Sequence, residues 1–408
     1  PGDYVCCSLT VGEPPALLQA IADNIEIFSD VKIMHMTPCR KYSYIKPENI
    51  PHVRLLSWFT GADRHAVNQG WADFIPVHFQ DTGEFISASL IPVDTFITTV
   101  SPMDEHGYFS LGATVAYSLD AVKKARTVIV EVNENMPYVY GNTFVHVSRV
   151  NHIVENHVPL PQFSSREPDP VQKAIGANIA DLIENGSTLQ LGFGGIPMAM
   201  AAYLKDKRDL GIHSGSLVDA MVDLFECGAI NNSQKSVHKD RMIGTCLIGT
   251  DKIYKFCNCN PLVELHPVGY THDLATLAAN NKMVSVNSTL EVDLFGQCVS
   301  ETIGTEQYSG AGGQANFVRG VVKSPGGKSI LALPSAVKGN TVSTIIPYIQ
   351  NGEMVTVTRQ DVDYIVTEYG AVRLRGKSRS QRARDLISIA HPNFRDELKH
   401  NARKLNLI

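Results

Sequence analysis

Short apolar runs of five or six residues recur along this chain, with stretches of helical spacing between them, and that alternation constrains the fold more than any other feature. Val31–Met36, Phe96–Val100 and Thr127–Val132 read as strands, with a helix over Val115–Ala125 between the last two. Further on, Thr188–Gly192, Met283–Asn287, Ile330–Pro334 and Tyr364–Thr367 read as strands, and Val171–Glu184 and Met198–Lys205 as helices. Strands alternating with helices are the signature of α/β layers built on a largely parallel sheet.

The pattern breaks once. Val158–Pro170 holds four prolines in thirteen residues, with serines and charges and no apolar period, which describes an extended connection. The expected organisation is therefore an α/β domain over 1–157, a linker over 158–170 and a second α/β domain over 171–408. A faint repeat supports two related halves. Gly2–Leu18 and Gly186–Met200 each run from a turn glycine through a buried strand and a glycine-bearing loop to a proline and a helix. Proline near a helix start suits the position, because its missing N–H has no partner there to lose.

Composition narrows the function. The 408 residues carry a net charge of −5, with 44% apolar and 19% charged residues, which excludes a disordered chain. No basic surplus exists to neutralise a nucleic-acid backbone. No apolar run approaches the roughly 20 residues of a membrane span, so the reading is a soluble protein. The eight cysteines are too sparse for a disulfide framework, and Cys257-Asn-Cys259 lacks the second ligand pair of a structural zinc site. Reduced thiols in the cytoplasm are expected. The chain enters strand-like sequence within three residues of Pro1 and without an initiating methionine, so the reading expects residues upstream.

Several stretches could carry chemistry. Gly192-Phe193-Gly194-Gly195-Ile196-Pro197 follows a strand and opens a helix, so its backbone N–H groups and the helix dipole suit an anion. A dinucleotide fingerprint would need glycine where Pro197 stands and an acidic residue at the end of the next strand, and Ile212–Ser214 offers none. Ser309–Gln314, with Gly310, Gly312 and Gly313, can form a second anion-holding nest. Against each loop stands the plain alternative of a tight turn or a surface loop. Asp104-Glu105-His106 sits on a turn, where charges are usually solvated. His213 ends a strand, where ligands gather in open sheets. Glu264-Leu-His266 and Glu368-Tyr-Gly370 also lie near strand ends, with capping or pairing to an arginine as the alternative. No serine-hydrolase elbow or zinc-protease motif is present.

These motifs together resemble one family along essentially the whole chain: the two-domain acetyl-CoA hydrolase/transferases, in particular the 4-hydroxybutyrate CoA-transferase group. The resemblance rests on Val11-Gly-Glu-Pro-Pro15, Ser101-Pro102 with Gly107 and Ser110-Leu-Gly112, and Glu131-Val-Asn133 with Met136-Pro137. It continues through Gln190–Pro197, Gly211-Ile-His213-Ser214, Glu291–Gly296, Ser309–Gln314 and Val366–Gly370. It implies exchange of CoA between short-chain acyl-CoA and a carboxylate of the acetate, butyrate or 4-hydroxybutyrate type, in a homodimer, with CoA as substrate and no metal or other cofactor. Gly192, Phe193, Gly194, Gly195 and Ile196 would line the CoA site, and Asn287, Gly310 and Gly313 would complete it near the thioester. Lys338 and Arg319 are candidate cations for the phosphates.

The resemblance also implies a glutamate nucleophile directly after the His-Ser or His-Thr pair. Here Gly215-Ser216 follows His213-Ser214, while Val222-Asp-Leu224 and Gly228 keep the spacing. Gly215 therefore stands where the nucleophile is expected, and the catalytic residue is not assigned. An engineered substitution, a natural loss of catalysis, and use of another carboxylate such as Glu264 or Glu301 each account for it. Acyl-CoA hydrolysis and non-catalytic CoA binding are the alternative functions.

Overall fold

The computed structural model describes residues 1–164 and 166–408; Ser165, in the proline-rich connection, lies outside the described residues. Two largely parallel sheets organise the chain. The first is formed by β1 (Tyr4–Cys7), β2 (Val31–Met36), β3 (Val53–Phe59), β4 (Asp73–Phe74), β5 (Thr95–Val100), β6 (Thr127–Val132) and β7 (His152–Glu155). Its order is β7-β6-β5-β1-β2-β3-β4, and every pairing is parallel. The second is formed by β8 (Thr188–Leu191), β9 (Gly211–Ile212), β10 (Met283–Ser288), β11 (Lys328–Ala332), β12 (Tyr364–Thr367) and β13 (Gly370–Arg373). Its order is β9-β8-β10-β11-β12-β13, parallel except for the hairpin that adds β13.

The repeat read in the sequence occupies corresponding places in the two sheets. β1 lies between β5 and β2, and β8 between β9 and β10, so each begins its sheet at the point where strand order reverses. Such a switch point opens a crevice outside the carboxyl ends of the strands. Each strand leads through a glycine loop into a nine-residue helix, Pro15–Asp23 in one half and Gly195–Tyr203 in the other. Pro15 is the first helical residue and Pro197 the third, both among the four positions whose N–H lacks an intrahelical acceptor. The first of these helices is held at its start by Glu131, whose buried carboxylate accepts the N–H groups of Ala16 and Leu17 at 2.9 and 3.2 Å.

Most expected strands fall within one residue of their observed bounds. Ile330–Pro334 is the exception, since pairing to β10 and β12 starts the strand two residues earlier at Lys328. The helix expected over Val115–Ala125 forms only over Ser118–Lys124, because Ala116 turns left-handed at φ 37°. The helix after the linker begins at Pro170, where Asp169 and Gln172 close a reciprocal capping box, and it ends at Ala180 rather than Glu184.

The linker is anchored at two points before Ser165: Tyr254 Oη donates to Pro161 O at 2.7 Å and Phe163 N to Gly249 O at 2.8 Å. One cluster of buried apolar side chains, from Cys6 and Phe96 to Val286 and Val366, runs through both halves. A small sheet also crosses between them, with Val263–Leu265 paired to Met242–Gly244 on one side and Tyr140–Gly141 on the other.

Candidate active site at the second switch point

The carboxyl ends of β8, β9 and β10 bring four of the sequence motifs to one place. β8 runs into Gly192–Gly194, and beside it the penultimate residue of β10 is Asn287, whose amide exchanges hydrogen bonds with that of Gln190 at 3.1 and 3.4 Å. On the other flank, β9 leads into His213 and Ser214, and Ser214 Oγ donates to Leu191 O at 3.0 Å. The second glycine loop reaches the same edge through Gln314 Nε2, which donates to Ser288 O at 2.7 Å.

The loop Ser309–Gln314 is seated on the first half of the chain. Phe79 N donates to Gly312 O at 3.0 Å and Thr60 Oγ1 to Tyr308 O at 2.9 Å. Asn68 and Gln307 exchange two hydrogen bonds at 2.9 and 3.0 Å. Gly310 lies so close to β3 that a Cβ there would stand 2.6 Å from Trp58 O. The site thus forms along the contact between the halves.

A cleft of about 200 Å³ opens beside the first glycine loop, walled by Gly192, Phe193, Gly194 and Met198 on one side and by Val218 and Asp219 on the other. Gly194 has φ 136°, a conformation open to glycine, and caps the helix Gly195–Tyr203. The N-terminus of that helix therefore borders the cleft, with the positive end of its dipole there. Phe193 is half-exposed and meets Phe163 of the linker edge-on, with ring centroids 6.4 Å apart. Asp219 is occupied structurally, accepting from Thr250 N, Thr250 Oγ1 and Ile253 N.

The remaining expected residues are placed differently. Ile196 is buried in the core, and Gly195 backs onto the Gln172 amide, so neither lines the cleft. Asn287, Gly310 and Gly313 do not line it either, and join it only through the strand ends and Gln314. Arg319 is paired with Asp361 at 2.9 Å, and Lys338 lies in the tight connection between Val337 and Val342. Asp104 organises its turn, accepting from His106 N, Tyr108 N and Tyr138 Oη. Glu368 accepts from Ser335 N and Oγ, and Glu301 from Thr356 Oγ1 at 2.9 Å.

Gly215 lies outside the left-handed region, so backbone strain is not what glycine relieves here. What it accommodates is a side chain that sequence reasoning missed. A Cβ on Gly215 would stand 3.0 Å from Nε2 and 3.1 Å from Cε1 of His272, and a Cβ on Gly313 would meet the same ring at 2.3 Å. The imidazole of His272 is thus wedged between the two glycines. Phe79 and Phe317 cover its faces edge-on at 5.3 and 4.7 Å, and Thr271 Oγ1 holds Nδ1 at 2.9 Å. Burial lowers its pKa to about 3, so the ring is neutral at physiological pH.

His213 is neutral for the same reason. Burial first, then the nearby Lys235 charge, lowers its pKa to about 3, and its Nε2 lies 2.9 Å from Thr271 O. Lys235 is itself lowered to about 7 by burial, with its ammonium donating to Ile212 O and Arg241 O at 2.7 and 2.6 Å.

Similarity to known proteins agrees with this geometry. Residues 1–161 match the acetyl-CoA hydrolase/transferase N-terminal domain and residues 249–402 the C-terminal domain. Succinyl-CoA:cyclohexane-1-carboxylate CoA transferase of Geobacter metallireducens is 45% identical over 100% of this chain and 93% of that protein. 4-Hydroxybutyrate coenzyme A transferase of Clostridium kluyveri is 43% identical over 97% of this chain and 92% of its own. The crystal structure of RipA from Yersinia pestis superposes with a TM-score of 0.94 at 39% identity, covering 100% of this chain and 95% of that one. The chain therefore belongs to the acetyl-CoA hydrolase/transferase family, a family of CoA-transferase enzymes.

Proposed function

We propose that this chain binds an acyl-CoA and a small carboxylate at the second switch point, and that its fold serves the exchange of CoA between them. The observation that carries this reading is the convergence of the Gly192–Gly194 loop, Asn287, Ser214–Gly215 and the Ser309–Gln314 loop on one strand edge. Backbone N–H groups at the start of the helix Gly195–Tyr203 face the CoA phosphates, and the second glycine loop closes over the thioester. The acyl group is short-chain, of the acetate, butyrate or 4-hydroxybutyrate type, the last of these being the one in the name of the Clostridium relative. The protein works as a cytoplasmic homodimer in which CoA is a substrate and no separate cofactor takes part.

In the covalent route, a carboxylate attacks the acyl-CoA carbonyl and expels CoA thiolate, leaving an acyl-glutamyl anhydride. The thiolate then attacks the glutamyl carbonyl, releasing the first carboxylate and leaving a glutamyl–CoA thioester, from which an incoming carboxylate takes CoA by the reverse steps. Backbone N–H groups stabilise the oxyanions along the way. Gly215 has no carboxylate to begin this sequence. The chain as it stands therefore binds acyl-CoA and transfers on the order of a million-fold more slowly than one with the nucleophile, the scale on which enzymes lose turnover with such a group.

Incubation with butyryl-CoA, with and without acetate or 4-hydroxybutyrate, tests the reading when followed by chromatography of the thioesters and mass mapping of the protein. Binding by calorimetry with transfer near background is expected. Robust transfer with CoA attached to Glu264, Glu301 or another carboxylate overturns the assignment at position 215. Loss of butyryl-CoA without an acceptor identifies a hydrolase instead.

A further inference from the structure

The glutamate and histidine of Glu264-Leu-His266 stand two residues apart at the end of a strand, so their side chains share one face. His238 meets them from the loop that precedes Met242–Gly244. Glu264 Oε2 lies 3.1 Å from His266 Nε2 and 3.4 Å from His238 Nδ1, and one ligand atom from each of the three falls within 4.8 Å of the others. Around a zinc ion with bonds of about 2.0–2.1 Å, neighbouring tetrahedral ligands stand about 3.3–3.4 Å apart. The 3.4 Å separation matches that edge and the 3.1 Å one falls slightly short of it.

We propose that His238, Glu264 and His266 bind a single divalent transition-metal ion of the zinc type, with water or a small anion in the remaining coordination position. Two imidazoles and one carboxylate select borderline-soft ions over magnesium and calcium, which prefer all-oxygen ligands.

The groups behind the triad are arranged as a metal's outer ligand shell is. Tyr270 Oη lies 2.6 Å from His238 Nε2, the nitrogen that does not face Glu264, and so fixes the ring. Arg241 Nε lies 3.6 Å from Glu264 Oε1, leaving Oε2 to the histidines. The triad is reachable from solvent, with side chains 24%, 26% and 11% exposed for His238, Glu264 and His266. His238 and Asp240 sit at φ 51° and 63°, in the left-handed region that His and Asp enter more readily than most side chains, and so turn the loop toward the strand. A bound ion would tie this loop to the strand and to Tyr270, two residues before His272. It is a structural or regulatory site, and no step of CoA transfer runs through it.

The test uses the full chain stripped with a chelator, with the exposed thiols of Cys227 and Cys259 alkylated. Calorimetry with Zn²⁺ is expected to give one ion per chain with a rise in Tm, while Mg²⁺ and Ca²⁺ give neither. Co²⁺ is expected to give the visible bands of a four- or five-coordinate nitrogen–oxygen site. Glu264→Gln and His266→Ala should abolish stoichiometric binding, and Tyr270→Phe should weaken it about 10- to 100-fold. His238→Ala, on the loop, serves if a strand variant fails to fold. Absence of stoichiometric binding, or binding unchanged in the folded triad variants, overturns the proposal and leaves the triad as an ion-paired tether between loop and strand.

Discussion

Placing a carboxylate at position 215 tests the relation between Gly215 and His272. A Cβ there would stand 3.0 and 3.1 Å from two atoms of the His272 ring, against an optimal separation of about 3.5–4.0 Å for carbon contacts. The ring cannot retreat easily, because Gly313 lies against its other side and Phe79 and Phe317 cover its faces. Overpacking of this kind costs about 1–3 kcal/mol. If Gly215→Glu reaches its working conformation only by displacing the ring, that cost lowers the competent population by about 5- to 150-fold, at 1.36 kcal/mol per decade. His272→Ala removes the obstacle. Gly215→Glu/His272→Ala should then exceed Gly215→Glu in butyryl-CoA:acetate transfer by about 5- to 150-fold, with ping-pong kinetics and a hydroxylamine-sensitive CoA adduct on residue 215. In urea unfolding, the two substitutions should couple favourably by about 0.5–3 kcal/mol, since the new side chain enters space the imidazole vacates. Equal activity and no coupling would refute the argument that His272 and a side chain at 215 compete for one space. Absence of an adduct in both variants would refute position 215 as the nucleophile's place.

Other consequences are simpler to read out. Gly194→Val places a branched side chain at φ 136°, where the surroundings leave room but the backbone does not; a cost of about 1–3 kcal/mol and a weakened CoA titration are expected, and an unchanged affinity contradicts the loop's assignment. His213 is held at a pKa of about 3 by burial, so the folded state binds fewer protons than the unfolded state between about pH 6.5 and 3, and stability falls as pH drops through that window. Urea midpoints at pH 7 and pH 5 should differ less in His213→Gln than in the unaltered chain. Lys235 is lowered to about 7 against about 10.4 unfolded, so the strain of its buried charge is relieved as pH rises through 7 and stability climbs toward pH 10. Lys235→Met should flatten that rise, and a parallel pH profile for the variant would show that its charge is not what sets it.

The sheets were legible because parallel strands buried on both faces are written as short, nearly continuous apolar runs. β2 and β6 coincide with their apolar stretches residue for residue. The short strands of the small crossing sheet, such as Tyr140–Gly141 and Met242–Gly244, carry no such pattern, because two or three residues give periodicity nothing to act on. Helix ends were less legible for a related reason. A capping box moved one start to Pro170, and the left-handed turn at Ala116 delayed another, both local events within an otherwise uniform stretch. At the site, the glycine loops were visible in the sequence because their backbones need unusual freedom or close approach, and glycine marks that need directly. The side chains that wall the cleft from Val218 and Asp219 belong to an ordinary helix start, and nothing in their spacing separates them from any other.

Position 215 combines a legible residue with an illegible reason. In sequence, glycine where a carboxylate is expected reads as a missing nucleophile. The backbone is not left-handed, and the space beyond Cα is filled by a histidine 57 positions further along the chain. His272 follows the short helix Val268–Thr271, and no motif singles it out. Its position depends on three long-range placements: Gly215 after β9, Gly313 on a loop seated against the first half, and the covering rings of Phe79 and Phe317. Each is set by tertiary packing. Glycine at 215 and at 313 and the imidazole at 272 therefore form one packed unit, in which a side chain at either glycine requires the ring to move. A change at 215 alone addresses half of that unit, which is why the double substitution, and not the restored carboxylate by itself, is the informative comparison.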